Sequence, residues 1–193
     1  MAYVSVLCSH LLGLPEDQLQ RLDDERGLPL PKIRGKSIQK AVKNIRVHVT
    51  NMPTLRRHLE TVAHIYCFLV EQGAIQPWTL YRIPERGDHA RLVGAVLDSF
   101  VRRGTGCWTK MTPTFTCTCL MISDEVGWMV HKASFFCVWS EPSCVAVHEP
   151  PPGRSLAVSR VLFRILGTQP HSFRCGTYRD LNEAHDAARR LIR

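Results

Sequence analysis

No stretch of this chain is apolar for the roughly 18 to 20 consecutive residues that a membrane-spanning helix needs, so any contact with a membrane is expected to be made from its surface. Low-complexity tracts and internal repeats are missing. So is the polar, charge-rich bias that keeps a chain from building a core: 45% of the 193 residues are hydrophobic and 22% charged. A chain of this length buries about 70% of the surface its unfolded form exposes, enough for one complete domain. The first fourteen residues hold no Lys or Arg and include Cys8, Ser9 and His10 before running into Glu16 and Asp17. They are expected to be folded structure rather than an export signal.

The signatures of catalysis are absent as well. There is no His-Glu-x-x-His, no Gly-x-Ser-x-Gly and no paired-carboxylate pattern. The glycine-bearing run from Arg103 to Gly106 lacks the lysine and the strand-to-helix setting of a phosphate loop. Nothing marks any of the eight cysteines as a nucleophile with a histidine base. The chain is expected to be a non-enzyme, without a cofactor or a small-molecule substrate.

The cysteines are spread along a core-sized chain, which points to reduced thiols in a cytosolic or nuclear setting rather than to a disulfide scaffold. Zinc is the alternative they raise. Cys117, Cys119, Cys137 and Cys144 with His148, and His171 with Cys175, offer soft ligands, but no pair has the Cys-x2-Cys spacing of a strong zinc signal. Cys117 and Cys119, two apart on one strand, would share a face as packed core thiols.

Acidic residues are missing where basic ones gather. Residues 1–27 hold five acids against two bases, and residues 59–193 hold twelve against fifteen. Residues 28–58 hold eight bases and no acid: Lys32, Arg34, Lys36, Lys40, Lys43, Arg46, Arg56 and Arg57. That segment alone carries as much charge as the net +8 of the whole protein. A charge run is often only a solvated face, but a face built for solubility mixes signs. Unmixed, it is expected to meet phosphate, in nucleic acid or in lipid head groups, each Lys or Arg near an anionic bilayer contributing about 1 kcal/mol.

Hydrophobic patterning predicts an α+β fold: an antiparallel sheet packed with two central helices plus N- and C-terminal helices. Residues 1–27 read as a helical segment with Pro15 opening its second helix, and residues 28–42 as a basic arm or linker held extended by Pro29 and Pro31. Residues 43–193 form the single α+β domain. Alternation of Ile45, Val47 and Val49 with Arg46, His48 and Thr50 predicts a strand from Lys43 to Thr50. Thr54 caps a helix whose stripe runs Leu55, Leu59, Val62, Tyr66, Leu69 and Val70 and which Gly73 ends. Residues 74–87, with Trp78, Leu80 and Tyr81, read as a loop that either exposes apolar groups or folds back on the core. Asp88 caps a second helix carrying Leu92, Val93, Val96, Leu97, Phe100 and Val101.

Threonine, β-branched and aromatic residues from Cys107 to His148 predict antiparallel strands at Phe115 to Ile122, Trp128 to Trp139 and Cys144 to His148. Ser155 to Leu166 fits a helix or a strand equally well, and from Asp180 a helix on Leu181, Ala184, Ala188, Leu191 and Ile192 closes the chain.

The order from residue 32 to about 139, with Ile45-Arg46-Val47-His48-Val49, Leu55-Arg56-Arg57-His58-Leu59 through Ile65-Tyr66, and Leu92-Val93-Gly94-Ala95-Val96-Leu97, resembles the matrix proteins of rhabdoviruses. The resemblance implies a virion protein, also in host cytoplasm with the nucleus a further location, that sits peripherally on an anionic phospholipid membrane. It implies binding to nucleocapsid or RNA and self-association as a homo-oligomer. Lys32 to Arg46 would then be the anionic-surface contact, and Trp78, Leu80 and Tyr81 an apolar membrane or self-association loop. The Pro-Pro-x-Tyr sequence common in that family is replaced by Leu28-Pro29-Leu30-Pro31. The other readings are an RNA-binding accessory protein, such as a silencing suppressor, using the same basic residues, and a small zinc-stabilised regulator. His64, Tyr66, Trp108, Trp128 and Trp139 are expected to be core or rim residues rather than base-stacking platforms.

Overall fold

The computed structural model describes residues 1–83, 94, 98, 106–123, 131–139, 144–148, 156–167 and 170–191. Its longest helix sets the arrangement. Thr54, in extended conformation, accepts a hydrogen bond from the Arg57 backbone N–H, and the chain then runs helical from Leu55 to Glu71 (α4), with Gly73 at φ +71° just beyond it. The expected stripe is present, except that Leu55 is 54% exposed, yet burial spreads well past the stripe to most of the helix. Such all-round burial requires cover on several sides.

That cover comes from helices α1 (Ala2–Leu12), α2 (Glu16–Gln20) and α3 (Ile38–Thr50), with a 3-10 turn over Arg21–Asp24. Leu7 and Leu11 of α1, Leu19 and Leu22 of the next two turns, and Ile45 and Val49 of α3 join Leu59, Ile65 and Leu69 of α4 in one buried cluster. The amino-terminal helices therefore belong to the main core. The stretch 28–42 is no free linker: residues 28–33 are irregular, but Ile33 is buried, and residues 38–42 begin α3.

The helix α3 corrects the strand expected from Lys43 to Thr50. Ile38, Ala41, Val42, Ile45 and Val49 fall at helical spacing, and all but the half-buried Ile38 are fully buried. Val47, needed for the strand's apolar face, is 51% exposed. Apolar residues at 45, 47 and 49 satisfy a period of two, but 41 and 42 side by side satisfy only the helix.

Six strands make one antiparallel sheet: β1 (Trp78–Arg82), β2 (Gly106–Met111), β3 (Thr116–Ser123), β4 (His131–Trp139), β5 (Cys144–His148) and β6 (Arg174–Tyr178), in the order β2-β3-β4-β5-β1-β6. The α+β architecture matches the expectation, and so do β3, β4 and β5 within the described residues; residues 128–130 of the expected Trp128 to Trp139 strand lie outside them. The segment with Trp78, Leu80 and Tyr81 is not an exposed apolar loop. It is β1, inside the sheet between β5 and β6, with those side chains 1%, 0% and 1% exposed. Strand β6 was not foreseen, since Arg174–Tyr178 has weak alternation and a glycine. The segment left open between helix and strand is helix α5 (Leu156–Leu166), and Asp180 caps the closing helix α6 (Leu181–Arg190) by accepting from the Glu183 N–H. The expected helix from Asp88 falls largely outside the described residues; Gly94 and Asp98 are helical.

The sheet is covered on both faces. Trp78, Leu80, Cys117, Cys119, Phe135 and Cys137 point to the α1, α3, α4 and α6 side, while Tyr81, Leu120, Phe136, Val145 and Val147 meet Val158, Val161, Leu162 and Leu166 of α5. At the β2 end the approach to α4 is close: a Cβ on Gly106 would lie 2.3 Å from Leu59 Cβ and 2.7 Å from its backbone carbon.

Histidines dock α1. The Nδ1–H of His58 donates to the Val49 carbonyl at 2.8 Å, so its Nε2 is the acceptor for the Tyr3 hydroxyl, also 2.8 Å away. The Tyr3 ring meets His131 edge-on, and His10 meets Tyr66 the same way. Burial lowers the pKa of His58, with the terminal ammonium adding to it; burial lowers His131 too, helped by the charge of His58. Burial also lowers His10 and His148.

Two expectations follow for stability. Gly106→Ala should cost about 1–3 kcal/mol in urea unfolding, the usual penalty for overpacking; an unchanged midpoint would contradict the Leu59 approach. Because the four histidines bind protons less readily folded than unfolded, stability is full above about pH 6.5, the unfolded value, and is lost as pH falls below it. Melting temperatures at pH 7.5 and 5.0 should drop in that order, and a flat profile would contradict the buried neutral histidines.

Candidate anionic-surface interface

Because the buried stripe of α3 fixes its rotation, Lys40, Lys43 and Val47 point away from the core and Arg46 sits on the flank next to α1, near enough to Cys8 for its charge to oppose the upward pull of burial on that thiol. Lys40, Lys43 and Arg46 are exposed and carry no salt bridge among the described residues. The helix has no acid in its first turn and none along its length. One outward face thus gathers three cations around an exposed valine.

The other five basic residues of the acid-free segment are placed differently. Arg34 is held by Asp24 at 2.6 Å, with Asp23 accepting the Ile33 and Arg34 backbone N–H groups at 2.8 Å each. The ammonium of Lys36 turns back onto the Lys32 carbonyl. Lys32 is exposed and carries no salt bridge among the described residues. Arg56 pairs with Glu60 one turn on at 2.8 Å, and Arg57, exposed and unpaired among the described residues, faces a cleft beside α4. The acidic amino-terminal segment therefore ties down Arg34 and the backbone beside it, but leaves the α3 face alone.

Its last acid has another partner. Glu25 accepts from Lys110 of β2 at 2.6 Å and stands 3.4 Å from His64, while Lys110 also reaches Glu71 at 2.6 Å. Burial pulls the Lys110 pKa down, but bonds to the two carboxylates more than offset it and hold the ammonium charged. His64 stacks on Trp108 at 4.0 Å, and burial, outweighing Glu25, keeps its pKa below the usual value. This lock spans 39 and 85 residues of sequence, and nothing local in the chain announces it.

The aromatic residues are mostly unavailable for stacking. Trp78, Tyr66, Phe135 and Trp139 are in the core, Trp108 is half-buried against His64, and Trp128 lies outside the described residues. The zinc candidates Cys117, Cys119, Cys137 and Cys144 pack into the core without forming a metal site among the described residues. Cys117 and Cys137 face each other across β3 and β4, Cys119 is next along the same face, and Cys144 and His148 lie on β5, where His148 Nδ1 bonds the Pro77 carbonyl. Among the described residues no three His, Cys, Asp or Glu side chains could hold a metal ion. Burial pushes the Cys144 thiol up to about 12 and raises those of Cys117, Cys119 and Cys137, which makes them inert as nucleophiles.

No helix among the described residues is long and apolar enough to cross a membrane. No family model matches the chain, and no curated protein matches it in sequence.

Replacing Lys110 by Met strands the partly buried Glu25 beside the exposed Glu71. It should lower stability by about 1–2 kcal/mol, the cost of breaking charge-assisted bonds in a half-exposed site. Urea titration of the variant would show it, and a neutral result would mean that the lock is only a surface pairing.

Proposed function

We propose that this chain is a matrix-like structural protein that docks on anionic surfaces, membrane and ribonucleoprotein, through the outer face of α3. One observation carries the reading: Lys40, Lys43 and Arg46 share that face with no acid to neutralise them, on a helix whose other side is locked into the core. At about 1 kcal/mol per cation near an anionic bilayer, three cations yield only about 3 kcal/mol. A single copy would bind weakly. Stable attachment then requires several copies acting together, since linked contacts raise avidity without new chemistry, and this favours self-association as part of the function.

The apolar loop that the rhabdovirus resemblance assigned to Trp78, Leu80 and Tyr81 is not part of this reading, because those residues are core. Two elements of the order that carried the resemblance also differ, a helix standing in place of the alternating strand and a strand in place of the loop. The reading rests on the charged face and not on element order. Burial of most described aromatics favours backbone phosphate contact over base stacking, so an RNA partner would be held by charge.

The test is co-sedimentation with vesicles containing a third phosphatidylserine, alongside single-stranded RNA, each across salt. Wild type should bind vesicles at low salt and lose them as salt rises, and Lys40→Glu, Lys43→Glu and Arg46→Glu combined should abolish binding with the melting temperature retained. Undiminished vesicle binding by the triple variant would overturn the assignment. Steep salt dependence with RNA and no vesicle binding would replace the membrane with nucleic acid as the partner.

A further inference from the structure

A cleft of about 370 Å³ lies beside the basic face but does not share its cations. One wall is residues 27–29, the floor is the side of α4, and the ends are the α3–α4 corner and Trp108 of β2. Leu28, Pro29, Met52, Pro53 and Trp108 make most of its surface apolar. A pocket of this size with few polar groups is the usual form of a small-molecule site.

Its charges do not balance. Glu60 is already engaged by Arg56 at 2.8 Å, and His64, bonded toward Glu25 and stacked on Trp108, is held toward its neutral form by burial. Arg57 is left as a cation with no counter-ion among the described residues. It also stands at the wrong end of its helix: the first turn of α4 carries Arg56 and Arg57 and no acid, although the positive end of a 17-residue helix favours negative charge. His48, which also lines the cleft, has a buried Nε2 with no hydrogen-bond partner among the described residues, and native structures rarely leave such an atom unsatisfied. An anion in the cleft would answer Arg57 and the helix end together, and an apolar body attached to it would fill the space between Leu28 and Trp108.

We propose that this cleft binds a small amphiphilic anion, a phosphate or carboxylate head against Arg57 with an apolar body along the Leu28, Pro29, Met52 and Trp108 walls. This is independent of surface docking by α3, and the two fail separately. Guanidinium binds phosphate oxygens in a fork geometry, which gives the head its specificity, while the apolar walls reject a bare inorganic ion.

The probes are 1-naphthyl phosphate and octyl phosphate, with 1-naphthol and inorganic phosphate as half-molecules, titrated by calorimetry into the full chain. At least one of the two phosphate esters should bind saturably at one site, and both half-molecules should bind weaker by about tenfold or more, as expected when each part contributes separately. Arg57→Ala should lose binding. Met52→Asp, which places a negative charge in the cleft without touching α4, should lose it too, so that a folding defect in either variant does not decide the matter alone. The charge-reversed α3 triple variant should bind as wild type does. Failure of both esters to bind, equal binding of naphthol, binding unchanged in the Arg57 and Met52 variants, or loss in the α3 variant would each overturn the proposal.

Discussion

Helix α4 has to be kept dry, and most of the fold can be read as the means of doing so. Twelve of its seventeen residues are buried, among them His58, His64, Thr61 and Tyr66. Buried polar groups are costly unless bonded, so the helix dictates what may stand beside it. His58 needs the Val49 carbonyl of α3 and the Tyr3 hydroxyl of α1, Tyr66 reaches the Tyr3 carbonyl, and His64 turns to Glu25. The amino-terminal helices are thus fixed by the polar requirements of α4 as much as by the leucines between them.

The same requirement decides where the cations go. Because α3 packs its Ile45 and Val49 side inward, the lysines at 40 and 43 have only the outward direction left. Acids at 23, 24 and 25 are spent on the Ile33 and Arg34 backbone, on the Arg34 side chain and on Lys110. Charge separation at the surface is therefore a by-product of how the interior was closed.

How much of this the chain disclosed beforehand depended on the range of the interaction involved. Local signals were dependable: Thr54 as a cap, Gly73 as a stop, a closing helix from Asp180, and strands in the described parts of the β-rich texture from 107 to 148 all appear as read. Where two periods overlapped, as in Ile45-Arg46-Val47-His48-Val49, the shorter pattern misled, and the decisive evidence was the adjacent Ala41 and Val42. Trp78 to Tyr81 looked like a loop because prolines flank it, yet pairing with β5 and β6, far along the chain, makes it an inner strand. For the site, the acid-free run was visible as composition, but which of its eight cations stay unpaired depends on Asp24, on Glu60 and on the rotation of α3. The lock at Lys110 and the cleft behind Arg57 join residues with no periodic relation, so no pattern could foretell them.

The two outermost strands bear on how copies of the chain can meet. Strand β6 has five residues, holds Gly176 and Arg174, and shifts register against β1 between Leu80 and Tyr81; β2 has six, with its Lys110 drawn into ion pairs. Short, interrupted or charged borders are the means by which sheets avoid adding a neighbour's backbone to their ladder. Assembly by sheet extension, which tends toward irreversible fibres, is disfavoured at both borders. Any contact between copies would then fall to side-chain surfaces, whose strength salt and dilution can reverse.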